Sequence, residues 1–212
     1  PLAYVFPSRI SKYEELYNVK GGTARSNIGQ RGREQGLKKL MTVNLLKRLE
    51  SSVEAFRLTL SKIEAAVDRT LDRLDSRTGS LTDVNVDFAG LDLDVDDEDD
   101  ANVEALSFGE KIKIDLNDID VQSWQRDLSN DRETLRLLLD EMHKVTPAHD
   151  LKLQKLKRLI EDKSANPFNP GNRKALVFSA FADTAEYLYR ELAPSFRGAG
   201  IQTALVTGGA DR

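Results

Sequence analysis

A long stretch of the chain carries apolar residues at gaps of three or four positions, which is the period of an α-helix and not of a β-strand. It contains neither proline nor glycine, and its apolar positions are Leu37, Met41, Leu45, Leu49, Val53, Phe56, Leu60, Ile63, Val67, Leu71 and Leu74. The pattern predicts one helix over residues 37–75, about 55 Å long at a rise of about 1.5 Å per residue. A helix of this length needs a partner for its apolar stripe.

A second periodic stretch can supply that partner by folding back. Its apolar residues are Val121, Trp124, Leu128, Leu135, Leu138, Leu139, Met142 and Val145, and Pro147 ends it. A further helix is predicted from about Asp150, with one side formed by Leu153, Leu156, Leu159 and Ile160. Residues 119–163 are therefore predicted to be returning helices. The expected fold is mostly α, with a long antiparallel helical hairpin followed by a helix.

Residues 76–118, between the two stretches, are predicted to form an acidic, flexible linker. Their densest acidic block consists of Asp92, Asp94, Asp96, Asp97, Glu98, Asp99 and Asp100. The alternation of Asp92 and Asp94 is similar to that of a calcium loop, but an EF-hand needs a central glycine, a glutamate at its twelfth position and flanking helices. The composition instead favours a solvated segment that repels itself.

The pattern changes near the end of the chain to strand, helix and strand. A connector over 164–173, with two prolines and a glycine, indicates a domain boundary. Ala175–Phe178 is a short apolar run, and Asp183 is a candidate N-cap of the helix that follows. Pro194 is expected to lie just beyond that helix, and residues 202–207 form a second apolar run.

Two apolar strands joined by a helix imply a parallel pair with a right-handed crossover, buried on both faces of a larger sheet. Residues 174–212 contain only two such strands, which are marginal alone. We therefore expect an incomplete parallel βαβ unit. The chain is expected to be a piece of a larger protein, or to have its sheet completed by another chain.

Composition narrows the class of protein. The 212 residues include no cysteine, which excludes disulfides, thiolate zinc sites and a cysteine nucleophile, and fits a reducing cytoplasm. No charged and apolar leader and no long apolar run is present, so we expect neither secretion nor a membrane span. The histidines, His143 and His149, are interpreted as residues of a turn between helices rather than metal ligands.

The net charge of −4 conceals a strong asymmetry along the chain. Residues 1–50 carry ten Lys/Arg against four Asp/Glu, a balance of +6, whereas residues 76–120 carry three against fourteen, a balance of −11. A local basic region sets the attraction for a polyanion. The overall acidity therefore does not exclude nucleic acid as a partner.

The basic, glycine-rich lead-in over 1–36 contains a candidate phosphate-binding loop. Residues 21–36 mix five glycines with Arg25, Arg31 and Arg33, and Lys38 follows them. This is not a Walker A loop, because no glycine is followed by Lys and Ser/Thr and no apolar strand precedes it. Arginines on such a loop can contact phosphates, and an ordinary exposed loop has the same composition.

Three segments together resemble one family. KALVFSAFADTAEYLYREL followed by GIQTALVTGG resembles the start of the second RecA-like lobe of superfamily-two helicases and Swi/Snf-type translocases. HDLKLQKLKRLIED is similar to the helix that leads into that lobe. LLKRLESSVEAFRLTLSKI resembles the helical segment that joins the two lobes in bacterial helicases related to RapA.

The resemblance implies backbone contacts to nucleic acid, carried by Ser179, Phe181, Thr207, Gly208 and Gly209. In this family the ATP-holding Walker A motif and the acidic Mg²⁺ motif belong to lobe one, and the transition-state arginines lie beyond the matching region. Phosphoryl transfer needs all of these parts together. We therefore expect no catalytic or metal-binding residue in this chain, with ATP and Mg²⁺ required by the parent protein.

The expected partners are nucleic acid, DNA in the first instance, together with the first motor lobe and the rest of the second. The alternative is a structural or protein-interaction module whose helical hairpin binds a protein. Burial of Trp124 and Phe56 within the chain would indicate that the hairpin satisfies its own apolar stripe, whereas an exposed stripe would imply a partner. A dinucleotide-binding fold is disfavoured, because no GxGxxG turn follows Phe178.

Overall fold

The computed structural model describes residues 2–13, 30–75 and 115–208, and this part of the chain is mostly helical. Its helices are α1 (Gln30–Ser51), α2 (Val53–Asp75), α3 (Val121–His143), α4 (Leu151–Ala165) and α5 (Ala182–Gly198), with 3₁₀ turns at Leu2–Tyr4, Pro7–Arg9 and Leu116–Asp118. Residues 10–13 are also helical. The acidic block and most of the glycine-rich loop lie outside the described residues.

The chain divides into two compact units. The first comprises Pro1–Asn44 and Ser61–Leu137, and the second comprises Leu45–Leu60 and Leu138–Arg212. Helices α1, α2 and α3 each contribute residues to both units.

In the first unit, α2 and α3 pack antiparallel, as the hydrophobic pattern predicts. Gln125 Nε2 donates to Asp75 Oδ1 at 2.9 Å near the start of α3. Further along, Arg136 Nε donates to Glu64 Oε1 at 2.8 Å. Residue numbers therefore rise along α3 as they fall along α2.

The core of the first unit gathers around Trp124. It comprises the buried residues Val5, Tyr13, Leu74, Ile119 and Trp124. The Tyr4 ring stacks on the Trp124 ring with centroids 6.2 Å apart, and the Tyr4 hydroxyl donates to Asp127 Oδ2 at 2.9 Å. Burial, followed by that hydrogen bond, raises the pKa of Tyr4 to about 12. The N-terminal segment thus closes the open end of the α2–α3 pair.

Asp118 holds the N-terminal segment in place. Its Oδ2 accepts from the Tyr13 hydroxyl at 2.6 Å and from Lys12 Nζ at 2.8 Å, and Arg9 Nε lies 3.3 Å from Oδ1. The hydrogen bond from Lys12, and then that from Tyr13, lowers the pKa of the Asp118 carboxyl. Burial, and then the bond to Asp118, raises the pKa of Tyr13.

The second unit packs α4 against α5. Its buried core consists of Leu153, Tyr187, Leu192 and Phe196, with Leu156, Ile160, Leu188 and Ile201 packed around it. Asp150 caps α4, because its Oδ1 accepts from the backbone N–H groups of Lys152 and Leu153, each at 3.0 Å. Of the residues predicted for the core side of α4, Leu159 is instead exposed.

The prediction of one uninterrupted helix over 37–75 is wrong at Ser52, which lies between α1 and α2 and is not helical. Its side-chain Oγ accepts from the Ala55 N–H at 3.0 Å, which is the bond of an N-cap residue. The backbone bonds from Ser52 N to Arg48 O and from Phe56 N to Ser52 O, at 3.0 and 3.2 Å, nevertheless bridge the break. The interruption is therefore local.

The predicted strands of the βαβ unit do not form among the described residues. Ala175–Phe178 and residues 202–206 have no regular secondary structure and are exposed, and no backbone hydrogen bond joins either segment to another described residue. Leu176 is 84% exposed and Phe178 is 89% exposed. A strand requires a partner for its backbone groups, and no segment in the described part of the chain provides one.

The helix between these segments also differs from its prediction. Pro194 lies inside α5 rather than beyond it, and the helix continues to Gly198. An interior proline costs about 3 kcal/mol, but Leu192, Ala193 and Phe196 on either side of it are buried, which favours continuation. The helix ends where Gly200, at φ 75°, turns the chain and the Ile201 N–H donates to Phe196 O at 2.9 Å.

We expect Leu74→Ala to destabilise the first unit by about 3 kcal/mol, because it would leave a cavity beside Trp124. Leu74 is 1% exposed. Trp124 is the only tryptophan of the chain, so urea denaturation followed by its fluorescence reports this unit. Leu137→Ala is the matched control, since Leu137 is 68% exposed and its loss should change stability by less than about 0.5 kcal/mol. Equal losses in the two variants would contradict the core assignment.

The lowered pKa of Asp118 predicts an acid-sensitive first unit. A carboxyl whose folded pKa is below its unfolded value stabilises the fold above the unfolded value, about 4, and this contribution is lost as pH falls toward the folded pKa. Urea denaturation at pH 7, 4 and 3 should therefore show a smaller decline for Asp118→Asn than for the wild type. Asp131→Asn, which alters an exposed carboxyl of α3, should decline like the wild type. Identical declines in all three proteins would contradict this role.

Candidate functional site

The residues predicted to contact nucleic acid lie in different parts of the structure. Ser179 is exposed three positions before α5, and Thr207 (half-buried) and Gly208 (exposed) follow the second non-helical segment. Lys38 is exposed on α1. Arg31 and Arg33 lie in α1, where only their helical backbone is described, and Arg25 and Gly209 lie outside the described residues.

Ser179 forms a tight local turn at the start of α5. Its Oγ accepts from the Phe181 N–H at 3.2 Å and donates to the Phe181 carbonyl oxygen at 3.1 Å. The hydroxyl is exposed, but it must release the carbonyl before it can donate to a phosphate. Asp183, the predicted N-cap, is instead a residue of the first helical turn, and no side chain caps α5.

Phe181 is buried, in contrast to Ser179. Its ring packs under the guanidinium of Arg48, which lies 4.8 Å from the ring centroid. A cation over an aromatic face is attracted by the ring quadrupole, and more strongly where water is excluded. The structure therefore gives Phe181 an interior packing role at the start of α5.

Arg48 is the centre of a polar cluster that joins the end of α1 to the start of α5. Its side chain is 2% exposed, and its Nη1 donates to Asp183 Oδ2 at 2.9 Å. The hydroxyls of Ser51 and Ser52 lie 2.8 and 2.9 Å from Thr184 Oγ1. We call Arg48, Ser51, Ser52, Asp183 and Thr184 the junction cluster.

Two further contacts extend the attachment of α5. Arg190 Nη2 donates to Glu54 Oε1 at 3.1 Å, and the same carboxylate pairs with Arg57. The Tyr187 hydroxyl donates to Asp150 Oδ2 at 3.0 Å, so the residue that caps α4 also binds α5. Burial, and then the charge of Asp150, raises the pKa of Tyr187.

The junction cluster fixes the first turn of α5, and hence the point at which the chain leaves Ala175–Phe178 and enters the helix. A buried arginine needs a charged or hydrogen-bonding partner, because its desolvation is otherwise costly. Asp183 is well suited, since an acidic residue in the first turn also interacts favourably with the helix dipole. Ser179 is thus carried on a firmly held helix start.

The sequence interpretation missed the junction cluster. Arg48 does not belong to the apolar stripe of the continuous helix predicted over residues 37–75, yet it is buried. The available signal was the spacing of Ser51 and Glu54, because Ser followed three positions later by Glu is typical of a helix start, although the capping bond is made one position later, by Ser52. Ser-x-x-Glu in the middle of an apolar periodic stretch indicates that the helix is interrupted there.

The described residues include no group of three or more His, Cys, Asp or Glu side chains that could hold a metal ion. His143 Nδ1 lies 2.7 Å from the Leu139 carbonyl oxygen, and His149 Nδ1 lies 3.1 Å from Thr146 Oγ1. Both rings are therefore engaged locally, at the end of α3 and in the turn before α4. None of the described helices combines the length and the apolar character needed to cross a bilayer.

We expect Arg48→Met to destabilise the second unit by about 3 kcal/mol, because it leaves the partly buried Asp183 carboxylate without its partner. Adding Asp183→Asn should recover part of the loss, since the uncompensated charge is removed. Hydrogen exchange of the backbone amides of α5 measures this loss of stability in the helix that the junction cluster holds.

Lys144→Gln is the matched control, because it removes a cation from an exposed ion pair with Glu141 and should cost less than about 1 kcal/mol. If Arg48→Met exchanged at the same rate as this control, the junction cluster would not hold α5.

Comparisons of the chain with protein-family models, with curated proteins and with solved structures found no match.

Proposed function

We propose that the chain is part of an ATP-dependent nucleic-acid helicase or DNA translocase, comprising the inter-lobe helical region and the start of the second RecA-like lobe. Its role in this proposal is to supply a helical protrusion and hinge, and to contact the nucleic-acid backbone. It has no catalysis of its own. ATP and Mg²⁺ act in the parent protein, in the cytoplasm.

The observation that carries the proposal is the arrangement around α5. An apolar, non-helical segment enters the helix and another leaves it, and both are exposed, with backbone groups that bond to no other described residue. Apolar side chains on both faces of an extended segment are typical of the interior strands of a parallel sheet. The two segments therefore have the character of strands from a sheet whose remaining strands belong to the rest of a motor lobe.

The proposed contacts are at the two ends of this unit. Ser179 and Thr207 follow the two non-helical segments, where ligands gather in open parallel sheets. Hydroxyls and glycine backbone amides, as at Gly208 and Gly209, can bind phosphate oxygens without reading the bases. Arg25, Arg31, Arg33 and Lys38 would add charged contacts that are sensitive to salt. Phe181 is not included, because it is buried against Arg48.

The junction cluster gives the hinge a physical basis. Arg48 pairs with Asp183, and Ser52, the residue between α1 and α2, bonds to Thr184. A movement of α5 with its lobe would therefore be transmitted directly to the break between α1 and α2. Hinges are formed by a few residues in loops or at the ends of elements, and Ser52, between α1 and α2, occupies such a position.

The alternative is a structural or protein-interaction module built on the helical hairpin. Trp124 is buried within the first unit and Phe56 is half-buried in the second. The part of the stripe around Trp124 is thus satisfied by Leu74 and the N-terminal segment. Leu49 and Leu138, which belong to the same predicted stripes, are 40% and 41% exposed, so this part of the hairpin leaves room for the alternative. The burial around Trp124 is the observation that favours the motor fragment.

Fluorescence anisotropy with a labelled 20-base-pair DNA duplex, titrated at several salt concentrations, tests the proposal. Lys38→Gln should reduce the slope of log K against log salt by about 0.9, the value for one phosphate contact. Ser179→Ala with Thr207→Ala should weaken binding at every salt concentration and leave the slope unchanged, because hydroxyls carry no charge. Each effect should be the same for duplexes of unrelated sequence.

Lys62→Gln is the charge-matched control, since Lys62 is an exposed cation of α2 outside the proposed contacts. A wild-type chain that does not bind the duplex at low salt, or variants that all bind like this control, would refute the proposed contacts.

A further inference from the structure

Helix α4 and the connector after it form the most basic continuous part of the described chain in the second unit. Residues 151–174 carry seven Lys/Arg against two Asp/Glu, a balance of +5. The basic residues are Lys152, Lys155, Lys157, Arg158, Lys163, Arg173 and Lys174. None of them belongs to the contacts proposed above.

Several of these basic residues differ from other cations of the second unit in the contacts that their side chains make. Arg48, Arg57, Lys144 and Arg190 form ion pairs. In the described chain, by contrast, the side chains of Lys155, Arg158, Arg173 and Lys174 are exposed and make neither an ion pair nor a hydrogen bond with another described residue. Lys155 and Arg158 are three positions apart, so they share the outer face of α4.

An exposed aromatic ring lies at the end of the same helix. Phe168, between Pro167 and Pro170 in the connector, is 88% exposed. Lys163 Nζ lies 5.7 Å from its ring centroid, which places the ring beside the last turn of α4. A phenylalanine held on the surface with a cation over its ring offers a platform on which a nucleic-acid base can stack.

We propose that the outer face of α4 and Phe168 bind single-stranded nucleic acid, with Lys155 and Arg158 on phosphates and a base stacked on the Phe168 ring. This surface rests on the proposed function and adds to it a contact separate from Ser179 and Thr207. Cations that follow a strand, combined with an aromatic ring, are the usual means of binding single strands without sequence preference.

The dimensions suit a strand that runs along the helix. Lys155 and Lys163 are eight positions apart, which is about 12 Å along the axis of α4. Phosphates recur about every 3.4 Å along the axis of one strand of a duplex. Lys155 and Arg158 are about 4.5 Å apart along the same axis, so a strand that follows α4 could place neighbouring phosphates at these two cations and a base further along, at Phe168. A duplex keeps its bases stacked inside and could use only the cations.

Anisotropy titrations of the full chain with labelled 20-nucleotide oligothymidylate, and with the duplex as a second probe, test this surface. Lys155→Gln with Arg158→Gln should reduce the salt slope for the oligothymidylate by about 1.4, at about 0.7 per lost contact. Phe168→Leu should weaken oligothymidylate binding about tenfold and leave duplex binding unchanged. Phe168→Tyr should retain the wild-type affinity, because it keeps the aromatic face.

Lys62→Gln with Lys144→Gln removes the same charge from exposed positions elsewhere and should leave the slope near that of the wild type. A slope unchanged by the α4 pair, or a Phe168→Leu loss that is equal for duplex and single strand, would overturn the inference. If Ser179→Ala with Thr207→Ala still weakened duplex binding in that case, the proposed function would stand without this surface. A wild type that binds neither probe would refute both.

Discussion

The pair formed by the buried Arg48 and the partly buried Asp183 is the interaction on which the second unit depends. Placing a guanidinium in the interior of a helical unit is unfavourable unless a carboxylate and an aromatic face receive it, and Asp183 and Phe181 do so. Phe181 immediately precedes α5 and Asp183 lies in its first turn, so the requirement of one side chain favours a helix start at this point. The seryl hydroxyls at the end of α1 then complete the attachment through Thr184.

Within the second unit, α5 is held by side-chain bonds, whereas the segments before and after it are not. Helix α5 is bound to α4 through Tyr187 and Asp150 and to α2 through Arg190 and Glu54. The non-helical segments on either side of it have no such bonds within the described chain. A helix that is held this firmly between two unpaired apolar segments is suited to presenting them to further strands. This contrast, more than any single side chain, favours a lobe that is completed elsewhere.

Helical periodicity predicted the α2–α3 pair and α4 because apolar spacing along one segment directly reports the face that it buries. The break at Ser52 was missed because the apolar period continues through it, and the bond to Thr184 connects positions far apart in sequence. Apolar composition likewise predicted a strand at Ala175–Phe178. A β-strand must pair with a neighbouring strand, however, and the composition of one segment does not show whether such a neighbour is present. At the candidate site, Ser179 could be placed before α5 from sequence, whereas the burial of Phe181 depends on Arg48, which a local pattern does not reveal.

The exposed segment Ala175–Phe178 has a consequence for the tendency of the protein to aggregate. Short apolar runs with unpaired amides and no charge are templates for pairing between molecules, and ordinary proteins cover or charge such edges. Here Lys174 precedes the run and Asp183 follows it only after a helix has begun, so charge protects one side alone. Any form of the protein that leaves this segment uncovered would be prone to ordered self-association, and its proper sheet partners would act as its protection against aggregation.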